Sequence, residues 1–275
     1  MAIWYIELSC RRAAGKWQMH IPDSFTVYKE GCRDMYICDI HSHLLPGIDD
    51  GSPDWETTMR MLKASRDAGV QEIIATPHYL PWHRHNIAKK IPELCREAET
   101  RAKRDLGIDI RIYPGEELYY HRELPDALAE GRALTLANSR SVLVEFPEQA
   151  AWSDLQFAAG QLGRSGYQMI LAHFERYGAL RRPGRIDELL SMGVRIQSNI
   201  GEMNGGFWNS TRRWLIRQYR EERIHFVGSD MHNLSTRPPI KASSLEWFQQ
   251  NLPEGYRKKI FHDNALEIIR SRSEG

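Results

Sequence analysis

Seven short runs of β-favouring, apolar residues recur along this chain, each followed by a segment with helical punctuation, and no other feature narrows the fold so much. The runs are Tyr36–Ile40, Gln71–Thr76, Ile108–Tyr113, Ser141–Phe146, Tyr167–Ala172, Val194–Ser198 and Ile224–Gly228. Several, such as Glu72-Ile-Ile-Ala-Thr76 and Ser141-Val-Leu-Val-Glu145, are near-continuous rather than alternating. That pattern belongs to parallel strands buried on both faces. Between them, Ser52-Pro-Asp54 offers an N-cap, a proline for the first helical turn and a carboxylate at the positive helix end. Gly69 suits a left-handed helix stop. Ile87–Leu106 and Thr211–Glu222 are long, charged and amphipathic. Seven β-then-α units predict a parallel α/β architecture, most simply a single closed barrel, with a doubly wound sheet as the alternative.

Composition mainly excludes. The 275 residues are 41% hydrophobic and 27% charged, an ordinary globular balance rather than a disordered one. Lys+Arg 37 against Asp+Glu 36 leaves +1, so no basic excess points to nucleic acid or an anionic membrane. No apolar run approaches the ~20 residues of a spanning helix, and the stretch after Met1 is too short for a signal peptide. The four cysteines (Cys10, Cys32, Cys38, Cys95) form no CxxC pair. These features predict a reduced, cytoplasmic protein without membrane insertion, its oligomeric state left open, a homo-oligomer included. The first 34 residues hold no clear periodic element, and Met35 immediately precedes the first strand. Residues 1–34 are therefore expected to be an extension or an upstream start read into the protein, ahead of a domain spanning 35–275.

The chemistry gathers where the strands end. His41-Ser-His43 follows strand one, and residues i and i+2 of an extended chain point the same way, so both imidazoles can reach one ion. Asp50 lies shortly after. His78 ends strand two, Glu116 follows strand three, Glu145 ends strand four, His173 ends strand five, and Asp230-Met-His232 ends strand seven. Only strand six, ending at Asn199, lacks a strong ligand. In a barrel the carboxyl ends of the strands share one face, and that face carries the active site. Nine donors exceed one ion's needs and suit two or three ions sharing a bridging carboxylate. Mixed imidazole and carboxylate donors favour Mn, Fe or Zn over Ca or Mg. Three divalent ions against four carboxylates leave net positive charge for a hydroxide and an anionic ligand, which suits a phosphate ester.

Six ordered motifs carry a family resemblance: His41-Ser-His-Leu-Leu-Pro-Gly-Ile-Asp-Asp-Gly51, Ala75-Thr-Pro-His78, Gly115-Glu116, Val144-Glu145, Ala172-His-Phe-Glu-Arg-Tyr177 and Ser229-Asp-Met-His232. From about Met35 to about Ile269 the chain resembles the PHP (polymerase and histidinol phosphatase) superfamily. Within it, the chain is most similar to the CpsB/CapC-type manganese-dependent protein-tyrosine phosphatases of capsule and exopolysaccharide regulation. The resemblance implies a distorted (β/α)7 barrel with a trinuclear centre, Mn²⁺ being the expected metal. One ion would be held by His41, His43, Glu116 and Asp230. A second would share Glu116 and add Glu145 and His173, and the third would take Asp50, His78 and His232. Asp50 rather than Asp49 has the offset of the family's aspartate. Arg176 and Arg237 match phosphate-binding positions, and Asp50 and His232 could assist the leaving group through a water. The implied reaction is attack by a metal-bridging hydroxide on phosphotyrosine, the implied partner a bacterial tyrosine kinase of polysaccharide export. The likeness is looser over Ile196–Trp208; that loop and His78–His85 are where substrate preference could differ.

Other chemistries fit less well. Cys95-x5-Arg101 has a cysteine-phosphatase spacing, but its intervening residues contain no glycine, include two glutamates and lie mid-helix. No G-x-S-x-G elbow supports a serine nucleophile. Tyr79, Trp82, Tyr119, Tyr120, Phe207 and Trp208 flank strand ends, where they either stack on a phenyl ring or pack the barrel rim. A phosphatase for a small alcohol phosphate such as histidinol phosphate, and a metal-stabilised binding module without catalysis, are the alternatives.

Overall fold

The computed structural model describes residues 10–13, 16–19, 36–82, 87–204, 206 and 208–271. Met35, His83–Asn86 and Phe207 lie outside these, and so do the expectations placed on them. The chain divides into Met1–Arg33 and Asp34–Gly275. In the first unit β1 (Cys10–Ala13) and β2 (Lys16–Met19) pair antiparallel, an element that the sequence had not announced.

In the second unit all seven expected strands form, and every pairing is parallel. They are β3 (Ile37–Asp39), β4 (Val70–Ala75), β6 (Arg111–Pro114), β8 (Ser141–Glu145), β9 (Gln168–Leu171), β10 (Arg195–Asn199) and β11 (Phe226–Gly228). Two of these positions are interrupted. Past Thr76-Pro77, where proline withdraws a donor, the chain resumes as β5 (His78–Tyr79). Past Gly115-Glu116 it resumes as β7 (Glu117–Tyr119). A Cβ at Gly115 would stand 3.0 Å from both Ile74 and Leu136 side chains, so any larger residue at the break would push them aside. The order runs β3-β4-β6, then β5-β7-β8-β9-β10-β11. A parallel bridge between Ser42 and Met231 closes it, with His43 N donating to Met231 O and Asp230 N donating to His41 O, both at 2.9 Å. This is a distorted seven-position barrel.

Helices α1 (Trp55–Asp67), α2 (Ile91–Leu106), α3 (Leu124–Ala129), α4 (Trp152–Arg164), α5 (Arg185–Ser191) and α6 (Ser210–Arg220) separate successive strand positions. The α1 cap is Asp54, whose carboxylate accepts from Thr57 N at 2.8 Å. Ser52 is instead buried, its hydroxyl bonded to Asp54 O and Thr58. After β11 come α7 (Ala242–Asn251), α8 (Glu254–Lys258) and α9 (Asn264–Arg270). Two apolar clusters hold the fold. A large one unites strands and surrounding helices. A smaller one joins Ile40, Ile74, Leu143, Ile170 and Phe226 to Ala265, Ile268 and Ile269 of α9. Helix α9 also meets the strand starts, through Arg195–Glu267 (3.1 Å) and Asn264 Nδ2 to His225 O (2.8 Å). The amino end of the barrel is thus stoppered with hydrocarbon, leaving the carboxyl end for chemistry.

Candidate metal centre

His41 and His43 leave β3 on extended chain and are fully buried. Backbone packs tightly behind them: a Cβ on Gly228 would approach His41 Cβ to 2.8 Å. Their outer ring atoms fix their tautomers. His41 Nδ1 lies 3.1 Å from Gln197 Oε1, an amide oxygen that can only accept, so Nδ1 carries the hydrogen. His43 Nδ1 donates to Asp49 Oδ2 at 2.7 Å. Both Nε2 atoms therefore face the same basin, 3.3 Å apart, and each presents a lone pair when its ring is neutral. Each is also 3.2 Å from Glu117 Oε2, with Asp230 Oδ1 at 3.4 and 3.5 Å. Two imidazoles and two carboxylates gathered in a buried site require positive charge among them, carried either by protons on the rings or by a bound cation.

Two further groupings adjoin this one. His43, Asp50, His78 and His232 bring one ligand atom each within 4.8 Å of the others, as do His78, Glu117 and Glu145. His232 Nδ1 donates to Asp230 O at 2.9 Å, which turns Nε2 toward Asp50 Oδ1, 3.4 Å away. His78 Nε2 lies 3.4 Å from the same oxygen, and its Nδ1 is 3.2 Å from Glu117 and 3.1 Å from Glu145. His173 Nε2 contacts the other Glu117 oxygen at 2.7 Å and Glu145 at 3.8 Å. Glu117 thus serves histidines through both oxygens, as a bridging carboxylate would. His78 Nδ1, His173 Nδ1 and His232 Nε2 are buried without a hydrogen-bond partner among the described residues. Orphaned imidazole nitrogens among carboxylates fit a transition-metal site. Two of the donors sit on strained backbone, His173 at φ +29° and Asp230 at φ +52°.

The geometry corrects one expected ligand. Glu116 does not reach the cluster; its Oε2 accepts from Leu134 N at 2.7 Å, and it is Glu117 that lies among the histidines and acids. The cause is the break at Gly115-Glu116: pairing resumes with His78 opposite Glu117 and Glu117 opposite Leu143, which aims the second glutamate inward. The structure brings the other eight candidates together.

Proton affinities follow this crowding. Burial works to lower the His43 and His78 pKa values, but Asp49 and Glu117 lift the first to about 9, and Asp50 and Glu145 lift the second to about 11. Burial would raise Asp230, yet His41 outweighs it and holds the carboxyl at about 2. Hydrogen bonding from His78 holds Asp50 well below the usual carboxylate range. Glu116, outside the cluster, is pushed up to about 8 by burial. His232 goes the other way, lowered to about 4 by burial and the neighbouring His43.

Both arginines border the basin. Arg176 donates to Asp230 Oδ2 at 2.6 Å and Arg237 to Asp50 Oδ2 at 2.9 Å. On the other side a cavity of about 820 Å³ opens from Asp50, His78 and Glu145 between Tyr79, Leu80, Pro81, Ile87 and Tyr119. Tyr120 packs the rim instead, its hydroxyl on Gln161 and its ring tilted against Phe146. Cys95 is buried within α2 and its thiol is pushed up to about 12 by burial, so it offers no thiolate. Three contributors escaped the sequence reading as orienting groups: Asp49, Gln197 and Asn199. An Asp-Asp doublet and a Gln-x-Asn pair on one strand face were the available signals.

Residues 37–270 match the family model for capsular polysaccharide synthesis, CpsB/CapC. The chain is 30% identical over 243 residues to the tyrosine-protein phosphatase CpsB of Streptococcus agalactiae serotype V, covering 85% of this chain and 98% of that protein. To the tyrosine-protein phosphatase YwqE of Bacillus subtilis it is 32% identical over 203 residues, covering 72% and 78%. Among solved structures, one from the crystallography of Bacillus subtilis YwqE and Streptococcus pneumoniae CpsB, termed unique metal-dependent tyrosine phosphatases, superposes with TM-score 0.77 at 28% identity. It spans 86% of this chain and 96% of its own. An amidohydrolase from Mycoplasma synoviae, at 12% identity and TM-score 0.53, shares the fold alone.

Proposed function

The chain belongs to the CpsB/CapC family, and on that footing we propose that it is a metal-dependent protein-tyrosine phosphatase with a trinuclear Mn²⁺ centre. The observation carrying this reading is the buried set of histidine nitrogens and carboxylate oxygens that face one another in three adjoining groupings, with three of the imidazole nitrogens lacking a hydrogen-bond partner among the described residues. His41, His43, Glu117 and Asp230 would hold one ion, and Asp50, His78 and His232 another. The third would lie among Glu117, Glu145 and His173, with His78 also in reach. When bound, the ions supply positive charge for the phosphoryl oxygens and a deprotonated water as nucleophile.

The chain's own residues do the rest. The cavity wall of Tyr79, Leu80, Pro81, Ile87 and Tyr119 accepts an aryl ring beside the basin. Arg176 and Arg237 each commit one donor to a carboxylate and retain others for a phosphate edge. A phenolate leaves with pKa about 10, so it requires less protonation than an alkoxide. Asp50 and His232, 3.4 Å apart, would orient a water that supplies that proton, since neither side chain holds one of its own there. The substrate would be a phosphotyrosine-bearing protein, a tyrosine kinase of polysaccharide export in the cytoplasm. No helix among the described residues is long and apolar enough to cross a membrane.

Initial rates with Mn²⁺ on a phosphotyrosyl peptide, a phosphoseryl peptide and histidinol phosphate test this. The phosphotyrosyl peptide should be fastest; a preference for histidinol phosphate would move the assignment to small alcohol phosphates, and no turnover of any would end it.

A further inference from the structure

Strand β10 is the one barrel position that ends without a ligand, yet its side chains touch three residues of the centre. Gln197 is fully buried and Asn199 nearly so. Gln197 Oε1 accepts from His41 Nδ1 at 3.1 Å and from the backbone N–H of His173 at 2.7 Å. Its Nε2 donates to Asn199 Oδ1 at 2.9 Å, and Asn199 Nδ2 donates to Asp230 Oδ2 at 2.8 Å. Directionality along this chain is fixed from one end. A backbone N–H can only donate, so the Gln197 oxygen faces His173 and His41, and its NH₂ faces Asn199. Asn199 must then offer its oxygen to Gln197 and its NH₂ to Asp230. Every element of the relay has one workable orientation.

We infer that Gln197, acting with Asn199, is a positioning residue for the metal centre: it locks the His41 tautomer that presents Nε2, seats the strained His173 backbone, and steers Asp230. With Gln197 accepting at Nδ1, the His41 lone pair can lie only at Nε2, on the side of His43, Glu117 and Asp230. The bond to His173 N–H falls at a residue with φ +29°, a conformation that its surroundings must enforce. The Asn199 amide occupies one lobe of Asp230 Oδ2, leaving Oδ1 toward the two histidines. Outer partners of metal-binding histidines commonly set affinity by about 10–100-fold. The inference rests on reading the basin as a metal centre.

A packing role and a positioning role make opposite forecasts for two variants. Leucine approximates the volume of glutamine and suits an apolar niche, whereas glutamate keeps an acceptor for His41 and His173 but places a carboxylate in a buried site. The experiment measures Mn²⁺ binding by calorimetry in wild-type protein, Gln197→Leu and Gln197→Glu, with melting curves taken in chelator. Positioning predicts about 10–100-fold weaker binding at the tightest site in Gln197→Leu, with Gln197→Glu retaining more affinity than Gln197→Leu. Wild-type affinity in Gln197→Leu, or a loss in Gln197→Glu as large as in Gln197→Leu, would overturn it. Should Gln197→Leu not fold, Asn199→Ala decides: several-fold weaker Mn²⁺ binding is expected, and unchanged binding refutes the relay. If wild-type protein binds no Mn²⁺, it is the metal-centre reading that fails.

Discussion

His225 at the amino end of the barrel and His43 and His78 at the carboxyl end shift in opposite directions, while His232, which lies beside His43 at the carboxyl end, shifts with His225. At the amino end, His225 precedes β11, and its Nδ1 accepts from Ile196 N at 3.2 Å. Burial, helped by Arg195, lowers its pKa to about 4, and the ring stays neutral. At the carboxyl end burial is at least as deep, yet His43 and His78 rise to about 9 and 11 because Asp49, Asp50, Glu117 and Glu145 outweigh it. Burial alone therefore does not set the charge of a core histidine; the excess of carboxylate does. One end is satisfied by hydrocarbon and backbone hydrogen bonds, while the other concentrates carboxylates and imidazoles whose negative charge is balanced by ring protons or by metal ions.

The largest effect should come from removing the carboxylate that serves both sides of the basin. Glu117→Gln should lower kcat/KM by at least about 10³-fold, the equivalent of several kcal/mol of lost charge stabilisation. Glu116→Gln should retain full metal content, because an amide oxygen can still accept from Leu134 N. Equal loss of metal in both variants would remove the distinction drawn between these neighbours.

That pair also marks how far the sequence alone was legible. All seven strands and the meeting of histidines and acids at their carboxyl ends followed from apolar runs and chain order. The inward turn at Glu117 did not, because it depends on where pairing resumes after Gly115, and register between β5, β7 and β8 is a tertiary property. Asp49 beside Asp50 posed the same ambiguity: one turns to His43 Nδ1, the other to His78 and His232. Gln197 and Asn199 stayed unread because an amide carries no ligand signal; its role appears only once His41, 156 residues away, is placed beside it.

Next in size, Arg176→Ala and Arg237→Ala should each reduce kcat/KM on an aryl phosphate by about 10²–10³-fold with metal content intact. Arg→Lys should recover only part, since a point charge replaces a planar fork. Near-wild-type rates in both alanine variants would leave the arginines as partners of Asp230 and Asp50 alone.

The amino end gives a smaller, pH-dependent effect. His225 has a folded pKa of about 4 against an ordinary 6.5, so between those values the unfolded chain binds more protons. Its contribution is therefore full above about pH 6.5 and is lost as pH falls toward 4. His225→Gln keeps an acceptor for Ile196 N without a titrating ring. Its melting temperature should fall less than that of wild-type protein across this window, and parallel curves would refute the neutral assignment.

Smallest of all should be the effect of starting the chain at Met35. That shorter protein is expected to keep full activity and nearly full thermal stability in melting and rate assays, whereas loss of either would show that residues 1–34 support the domain.

The contrast between the barrel ends is tested most directly by counting ions. After mild reconstitution with Mn²⁺, elemental analysis of wild-type protein should give close to three ions per chain, with fewer in His41→Ala and Glu117→Gln. One ion per chain, unchanged in both variants, would contradict the multinuclear centre.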